Sequence, residues 1–181
     1  MLYLLQDLKA NKGNTKGQMV LFLFRLASLA TRHKLIFIAF IPYLLFYRFF
    51  VEWVLGIELP YKVQLGSSLK LFHGQSLVIN KGTVIGSNCT IRHSTTIGNK
   101  TNMDGTDSAC PVIGSNVEIG AHVCIIGNIT IGNNVKIGAG SVVVKNIPDN
   151  CIVVGNPAKI IKTIYPLTTA REVAQVQVKV A

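Results

Sequence analysis

The chain predicts a mainly-β fold, a parallel β-helix of hexapeptide repeats with an N-terminal α-helical cap. Three observations carry this. Ile79, Ile85, Ile91 and Ile97 fall on a period of six, which resumes at Ile113 and runs through Ile119, Ile125, Ile131 and Ile137 to Val143. Small or polar residues follow nearly every one, as in "IGSNCT", "IGSNVE" and "IGNNVK". Residues 1–57 lack this period and read as apolar helices.

Three six-residue units make one triangular turn of parallel β-structure. Residues 18 apart then stack, Ile113 under Ile131 and Ile119 under Ile137, and their side chains fill the prism axis. The Gly or Asn after each aliphatic residue is expected to turn the corner, where positive φ is often needed. No repeat buries its face alone, so the coils must stack. Strands of a sandwich would alternate with period two instead.

Ahead of the repeat, "MLYLLQDLKAN" and "GQMVLFLFRLASLATRH" read as two short helices joined by linker 11–17. "KLIFIAFIPYLLFYRFFVEWVLG" reads as a third, kinked at Pro42. Its longest uncharged run, from Leu35 to Tyr47, is too short to span a bilayer. Two uses stay open: a cap that closes the first coil, or an interfacial anchor with Arg25, Arg32, Lys34 and Arg48 facing lipid head groups. The expected organisation is a helical region over 1–57, the β-helix over 58–157 with an extruded loop at 100–111, and a tail over 158–181.

Only 14% of the 181 residues are charged and 49% are hydrophobic, so a large buried core is available. The net charge of +10 is concentrated at the ends: about +5 over residues 1–55, +2 over 56–155 and +3 beyond. That suits a phosphate-bearing ligand or a membrane surface. No basic run with interleaved aromatics marks a nucleic-acid partner. The four cysteines, Cys89, Cys110, Cys124 and Cys151, show no CxxC spacing. With no signal-peptide pattern either, the chain reads as reduced and cytoplasmic, including the inner face of the cytoplasmic membrane.

The beat breaks twice. Leu65 and Leu71 keep it, but Ile79 arrives two positions late after Leu71, so "HGQS" holds two extra residues. Between Ile97 and Ile113 about ten residues bulge out around "KTNMDGTDSACP". Insertions in a solenoid gather on its functional face. His73 stands at the first break. His93 follows one full coil plus the two inserted residues later, and is expected directly over His73. His122 falls one residue off the next stacked position, and a surface histidine reads as well there.

The motif "[IV]-G-x-x-x-[VIT]" resembles the hexapeptide-repeat acetyltransferases with a left-handed parallel β-helix. "KIGAGSVVVKNIPDNCIVVGNPAKIIK" (136–162) is similar to the closing stretch of the serine acetyltransferase branch. "INKGTVIGSNCTIRHSTTIGN" and "ACPVIGSNVEIGAHVCIIGNITIGNNV" resemble that branch and its colanic-acid acetyltransferase relatives. The resemblance covers about residues 55–162, and the left hand is implied by it alone. It implies acetyl-CoA as co-substrate and His73 of "LFHG" as general base on an acceptor hydroxyl. It places Glu58, where the family usually has Asp, as the carboxylate that orients the imidazole. It implies coenzyme contacts at Gly98, Ala121 and Ala139, with Lys136 and Lys159 among the cations near the phosphates, and a homotrimer with active sites between subunits.

Serine acetyltransferases have an Asp before the catalytic His and an Arg-His pair at the end of the inserted loop. Here Phe72 and Ala109-Cys110 stand there, so counter-charges for a zwitterion are missing. Phe72, His93 and Cys110 are expected at the acceptor, Cys110 as a pocket-lining or merely small residue. The acceptor reads as a saccharide in exopolysaccharide or capsule assembly, with serine as the alternative. No metal is expected, since His73, His93 and His122 lack the pair five apart of the metal-dependent β-helix enzymes.

Overall fold

The computed structural model describes residues 2–31 and 34–164. Arg32 and residues 165–181 of the tail, about which expectations were stated, lie outside the described residues.

Helices come first: α1 (Leu2–Leu5), α2 (Thr15–Ala30), α3 (Lys34–Ala39), α4 (Ile41–Tyr47) and a π-helical segment (Arg48–Val54). The strands follow in chain order: β1 (Ile57–Glu58), β2 (Gln64–Leu65), β3 (Lys70–Phe72), β4 (Leu77–Ile79), β5 (Val84–Ile85), β6 (Thr90–Arg92), β7 (Thr96–Gly98), β8 (Val112–Ile113), β9 (Glu118–Ile119), β10 (Cys124–Ile126), β11 (Thr130–Ile131), β12 (Lys136–Ile137), β13 (Val142–Val143), β14 (Cys151–Val154) and β15 (Lys159–Thr163). They form three sheets, the faces of a prism. The first face runs β1-β4-β7-β10-β13, the second β2-β5-β8-β11, and the third β3-β6-β9-β12-β14-β15. The pairings are parallel except for β15, which folds back antiparallel on β14. The structure is thus a parallel β-solenoid of about five turns with a helical region ahead of it.

Both period-six series, Ile79 to Ile97 and Ile113 to Val143, are buried along their length. Each such side chain contributes roughly 1.5–3 kcal/mol by leaving water. The registers locate the breaks. The pairs Ile57↔Leu77, Leu65↔Ile85 and Leu71↔Ile91 each step over three repeats plus two residues, whereas Ile79↔Ile97 steps over three plain repeats. The two extra residues therefore lie between Phe72 and Leu77. The pair Ile85↔Ile113 steps over ten residues more than Ile113↔Ile131, which isolates the larger insertion. That insertion is a small hairpin, with Thr101 bridged to Asp107. At its tip the Thr106 side chain and backbone bond the Asp104 carboxylate and hold it below the usual carboxylate range. A third irregularity, unmarked by the ruler, shortens the last coil: Ile137 pairs with Val153, two positions short of three full repeats.

The corners divide the labour differently from the sequence expectation. Positive φ falls not on the Gly of each "GSN" or "GNN" but on the Asn: Asn88, Asn116 and Asn134, with Asn150 in the same column. The glycine serves close stacking instead. A Cβ on Gly86 would lie 2.6 Å from the Gly114 carbonyl carbon, and one on Gly114 would lie 2.8 Å from that of Gly132. Asparagine tolerates the left-handed region and adds a side-chain ladder, Asn116 Nδ2 to Asn134 Oδ1 at 3.0 Å and Asn134 Nδ2 to Asn150 Oδ1 at 2.9 Å.

The cap is less regular than the sequence suggests. Only Leu2–Leu5 of the first segment is helical, because the residues after it are drawn to the open edge of β3. Asn11 Nδ2 donates to Leu69 O at 2.7 Å while Leu71 N donates to Asn11 Oδ1 at 3.0 Å, as a further strand would. Buried Asp7 accepts from Leu69 N and from Arg25, whose guanidinium also reaches Leu65 O. These groups satisfy a strand edge that would otherwise invite pairing. Pro42 does not kink one long helix. It sits in the first turn of α4, where its missing N–H costs nothing, and α3 ends before it. Among the described residues no helix is long and apolar enough to cross a membrane.

Candidate active site

The two-residue insertion shapes the site. His73 and Gly74 take successive left-handed conformations, φ 63° and 67°. At Gly74 a Cβ would come within 3.0 Å of Ile57 Cδ1, so a larger residue would collide with the core. The sharp turn takes His73 off the β3 line and leaves it exposed at the corner between the third and first faces.

His93 lies at the same corner one coil on. The His73 and His93 rings are 6.0 Å apart and nearly perpendicular, so the spacing argument for this pair holds. His122 joins them: its ring is 5.2 Å from that of His93, and its backbone N–H donates to His93 O at 3.1 Å. Sequence reasoning gave His122 less weight because it is one residue out of step. Its left-handed φ of 58° turns the side chain back along the edge. Among the described residues His93 Nδ1 is buried without a hydrogen-bond partner, a state that calls for an explanation in a folded protein.

The edge continues through small residues. Gly140 N donates to Ala121 O, so Ala121 and the neighbouring Ala139-Gly140 follow the histidines coil by coil. A Cβ on Gly140 would meet nothing within 4 Å, so the backbone there is open to approach.

On the third face beside His73 stands Phe72, its ring 6.3 Å from the imidazole. Lys70 Nζ lies 4.4 Å and Arg92 Cζ 4.8 Å from the Phe72 ring centre, both in cation–π range. The sequence reading passed over this pair. The available signal was the register offset by the inserted pair, which makes Phe72 and Arg92 direct partners. Glu118 is shared between Arg92 at 3.8 Å and Lys136 at 3.7 Å. Lys159 lies at the far end of the same face, paired with Val154.

Three predicted residues lie elsewhere in the single chain. Glu58 is exposed on the first face opposite Val78 and, among the described residues, makes no hydrogen bond or ion pair with His73. It lines a cleft of about 510 Å³ with Arg48, Trp53, Lys62 and Lys81. Gly98 is at the other corner of that face, where Gly127 N donates to its carbonyl, and shares a cleft of about 400 Å³ with Glu58. Cys110 is also at that other corner, its Sγ 3.0 Å from a Cβ built on Gly82. Neither cleft is lined by a histidine. Burial pushes the Cys89 thiol up, away from thiolate chemistry, and it bonds Gly114 O. Among the described residues no group of three His, Cys, Asp or Glu side chains is arranged to hold a metal ion.

Residues 110–145 match the family described as "Bacterial transferase hexapeptide (six repeats)". The chain is 41% identical over 162 residues to the "Putative colanic acid biosynthesis acetyltransferase WcaB" of Escherichia coli K12, covering 87% of this chain and 98% of that protein. It is 42% identical over 114 residues to the serine acetyltransferase of Buchnera aphidicola from Schizaphis graminum, covering 63% of this chain and 43% of that protein. Among solved structures, the Brucella abortus S19 serine acetyltransferase in complex with coenzyme A superposes with a TM-score of 0.75 at 30% identity, over 90% of this chain and 68% of that one. With a likeness that spans nearly the whole of a relative and a fold to match, the chain belongs to the hexapeptide-repeat acetyltransferases, O-acetyltransferases whose acyl donor is acetyl-CoA.

Proposed function

We propose that this acetyltransferase acts on a saccharide hydroxyl, with His73 as general base. The observation that carries the reading is the histidine edge: three imidazoles in a row, continued by small residues whose backbone is open. His73 takes the hydroxyl proton as the acceptor oxygen attacks the thioester carbonyl. The C–S bond then breaks, and the imidazolium returns the proton to the coenzyme A sulfur. His93, whose ring stands between those of His73 and His122, is the candidate to bond a second acceptor hydroxyl. Ala121 and Ala139 let the pantetheine amides reach backbone groups, and Lys136 and Lys159 are the cations available to the phosphates. General-base help of this kind is worth roughly 10²–10⁴ in rate.

A convex edge needs a second wall. Glu58 makes no hydrogen bond or ion pair with His73 among the described residues, and Gly98 and Cys110 lie at the far corner of the first face. This supports a homotrimer in which the first-face and loop residues of one subunit close on the histidine edge of the next.

Serine is the second reading, and one observation favours it: Lys70 and Arg92 beside Phe72 offer a carboxylate partner that the sequence reading did not see. Serine also needs an anion for its ammonium, and Glu118 is already shared by Arg92 and Lys136. The saccharide reading rests further on the relative named for colanic acid biosynthesis, matched over 98% of its length. The test is competition under acetyl-CoA between carboxylate-bearing and neutral oligosaccharides and L-serine. Saccharides are expected to show the higher kcat/KM, and a large preference for serine rejects the reading.

A further inference from the structure

We infer that the outer face of α3, α4 and the π-helical segment docks on a lipid bilayer rich in anionic head groups. This does not depend on the identity of the acetyl acceptor. α3 reads "KLIFIA" and buries none of its residues. In α4 and the π-helical segment only Leu44, Tyr47 and Val51 are buried, and they mark the face turned inward. The opposite face carries Leu45, Phe49 and Trp53 at steps of four, exposed by 64%, 57% and 76%, with Leu35 of α3 at 82%. An unbroken apolar face of this kind stays in water only at a large free-energy cost, so it has an occupant.

Two arguments favour lipid over a second copy of the chain. The first is charge. Lys34 opens α3, and Arg48, Lys62 and Lys81 line the cleft that holds Trp53. Of the two carboxylates in that cleft, Glu52 is bound by Arg48 at 3.1 Å and Glu58 is unpaired among the described residues. Basic residues at the rim of an aromatic and aliphatic face describe an interfacial helix, whereas lysine is depleted at protein–protein contacts. The second argument is place. α2 and the residues before it are bonded to the open edge of the first coil, so the outer helices sit at the capped end of the solenoid. They rest on α2 and lead straight into β1, and only the Trp53 end of the row borders the first face through the cleft it shares with Glu58.

Trp53 is the single tryptophan of the chain and is an exposed member of this face, so it reports directly. The full chain is mixed with vesicles of phosphatidylcholine alone or with phosphatidylglycerol, and Trp emission and co-sedimentation are read together. The expected result is a shift to shorter wavelength and sedimentation with the anionic vesicles, weaker by roughly tenfold or more without the anionic lipid. Leu45→Glu with Phe49→Glu, both at exposed positions, abolishes both signals while circular dichroism stays unchanged. Emission that neither vesicle moves overturns the proposal, as does equal binding to both. Emission already at short wavelength without lipid, shifting to longer wavelength on dilution, assigns the face to a second copy and overturns it too.

Discussion

Two corners of the prism solve the same backbone problem with different residues. At the corner between the second and third faces the left-handed positions hold Ser68 in the first coil and then Asn88, Asn116, Asn134 and Asn150. Between the third and first faces they hold His73, Gly74, Ser76, Ser94, His122 and Gly140. The last three asparagines bond one another in a ladder and need nothing from outside. The histidines pack edge to face, expose His73, and leave a buried nitrogen without a partner. One corner is closed in its hydrogen bonding and serves stability. The other exposes a histidine and leaves one polar nitrogen without a partner among the described residues. In a repeat fold this contrast separates function from scaffold more sharply than residue type alone, since both corners bear the same backbone strain.

The contrast breaks most visibly at His73. His73→Asn keeps a residue that tolerates positive φ but removes the base. Turnover is expected to fall by roughly 10²–10⁴ with acetyl-CoA affinity and thermal stability near those of the parent. Undiminished turnover would remove His73 from the chemistry. Asn134→Ala is the reciprocal experiment. It deletes two ladder bonds and places alanine in the left-handed region, so stability in urea is expected to drop by about 1–3 kcal/mol while kcat holds. Loss of activity without loss of stability there would erase the distinction between the corners. His122→Asn turns one position of the open corner into a ladder residue. Stability should stay within about 0.5 kcal/mol, while kcat/KM drops roughly fivefold if the ring bonds the bound acceptor. Unchanged kcat/KM would make His122 scaffold.

Much of the prism was legible because its signal is local and repeated. Each six-residue unit carries its own inward aliphatic residue, and the ladder adds register by counting. That is why the position of "HGQS", the size of the loop and the stacking of His93 over His73 could be read from spacing. The counting failed where a side chain leaves its own rung. His122 reaches the column through a left-handed turn that shifts it by one residue. The shortened last coil carries no motif that a period of six would flag.

The sequence by itself determined the solenoid and its breaks, since these follow from periodicity and from residues at fixed offsets, while His73 as candidate base came from the resemblance to the acetyltransferases. Tertiary structure alone decided what pairs residues far apart in the chain. Asn11 completes the edge of β3 from the far side of the helical region, and Asp7 with Arg25 is buried against the same coil. Lys70 and Arg92 converge on Phe72, while Glu58 is not bonded to His73 among the described residues and Cys110 stands at the opposite corner of the first face. The helical cap has no repeating partner to fix which face turns inward. Its burial pattern is set by where α2 bonds the first coil, and the exposed row from Leu45 to Trp53 is what that choice leaves outside.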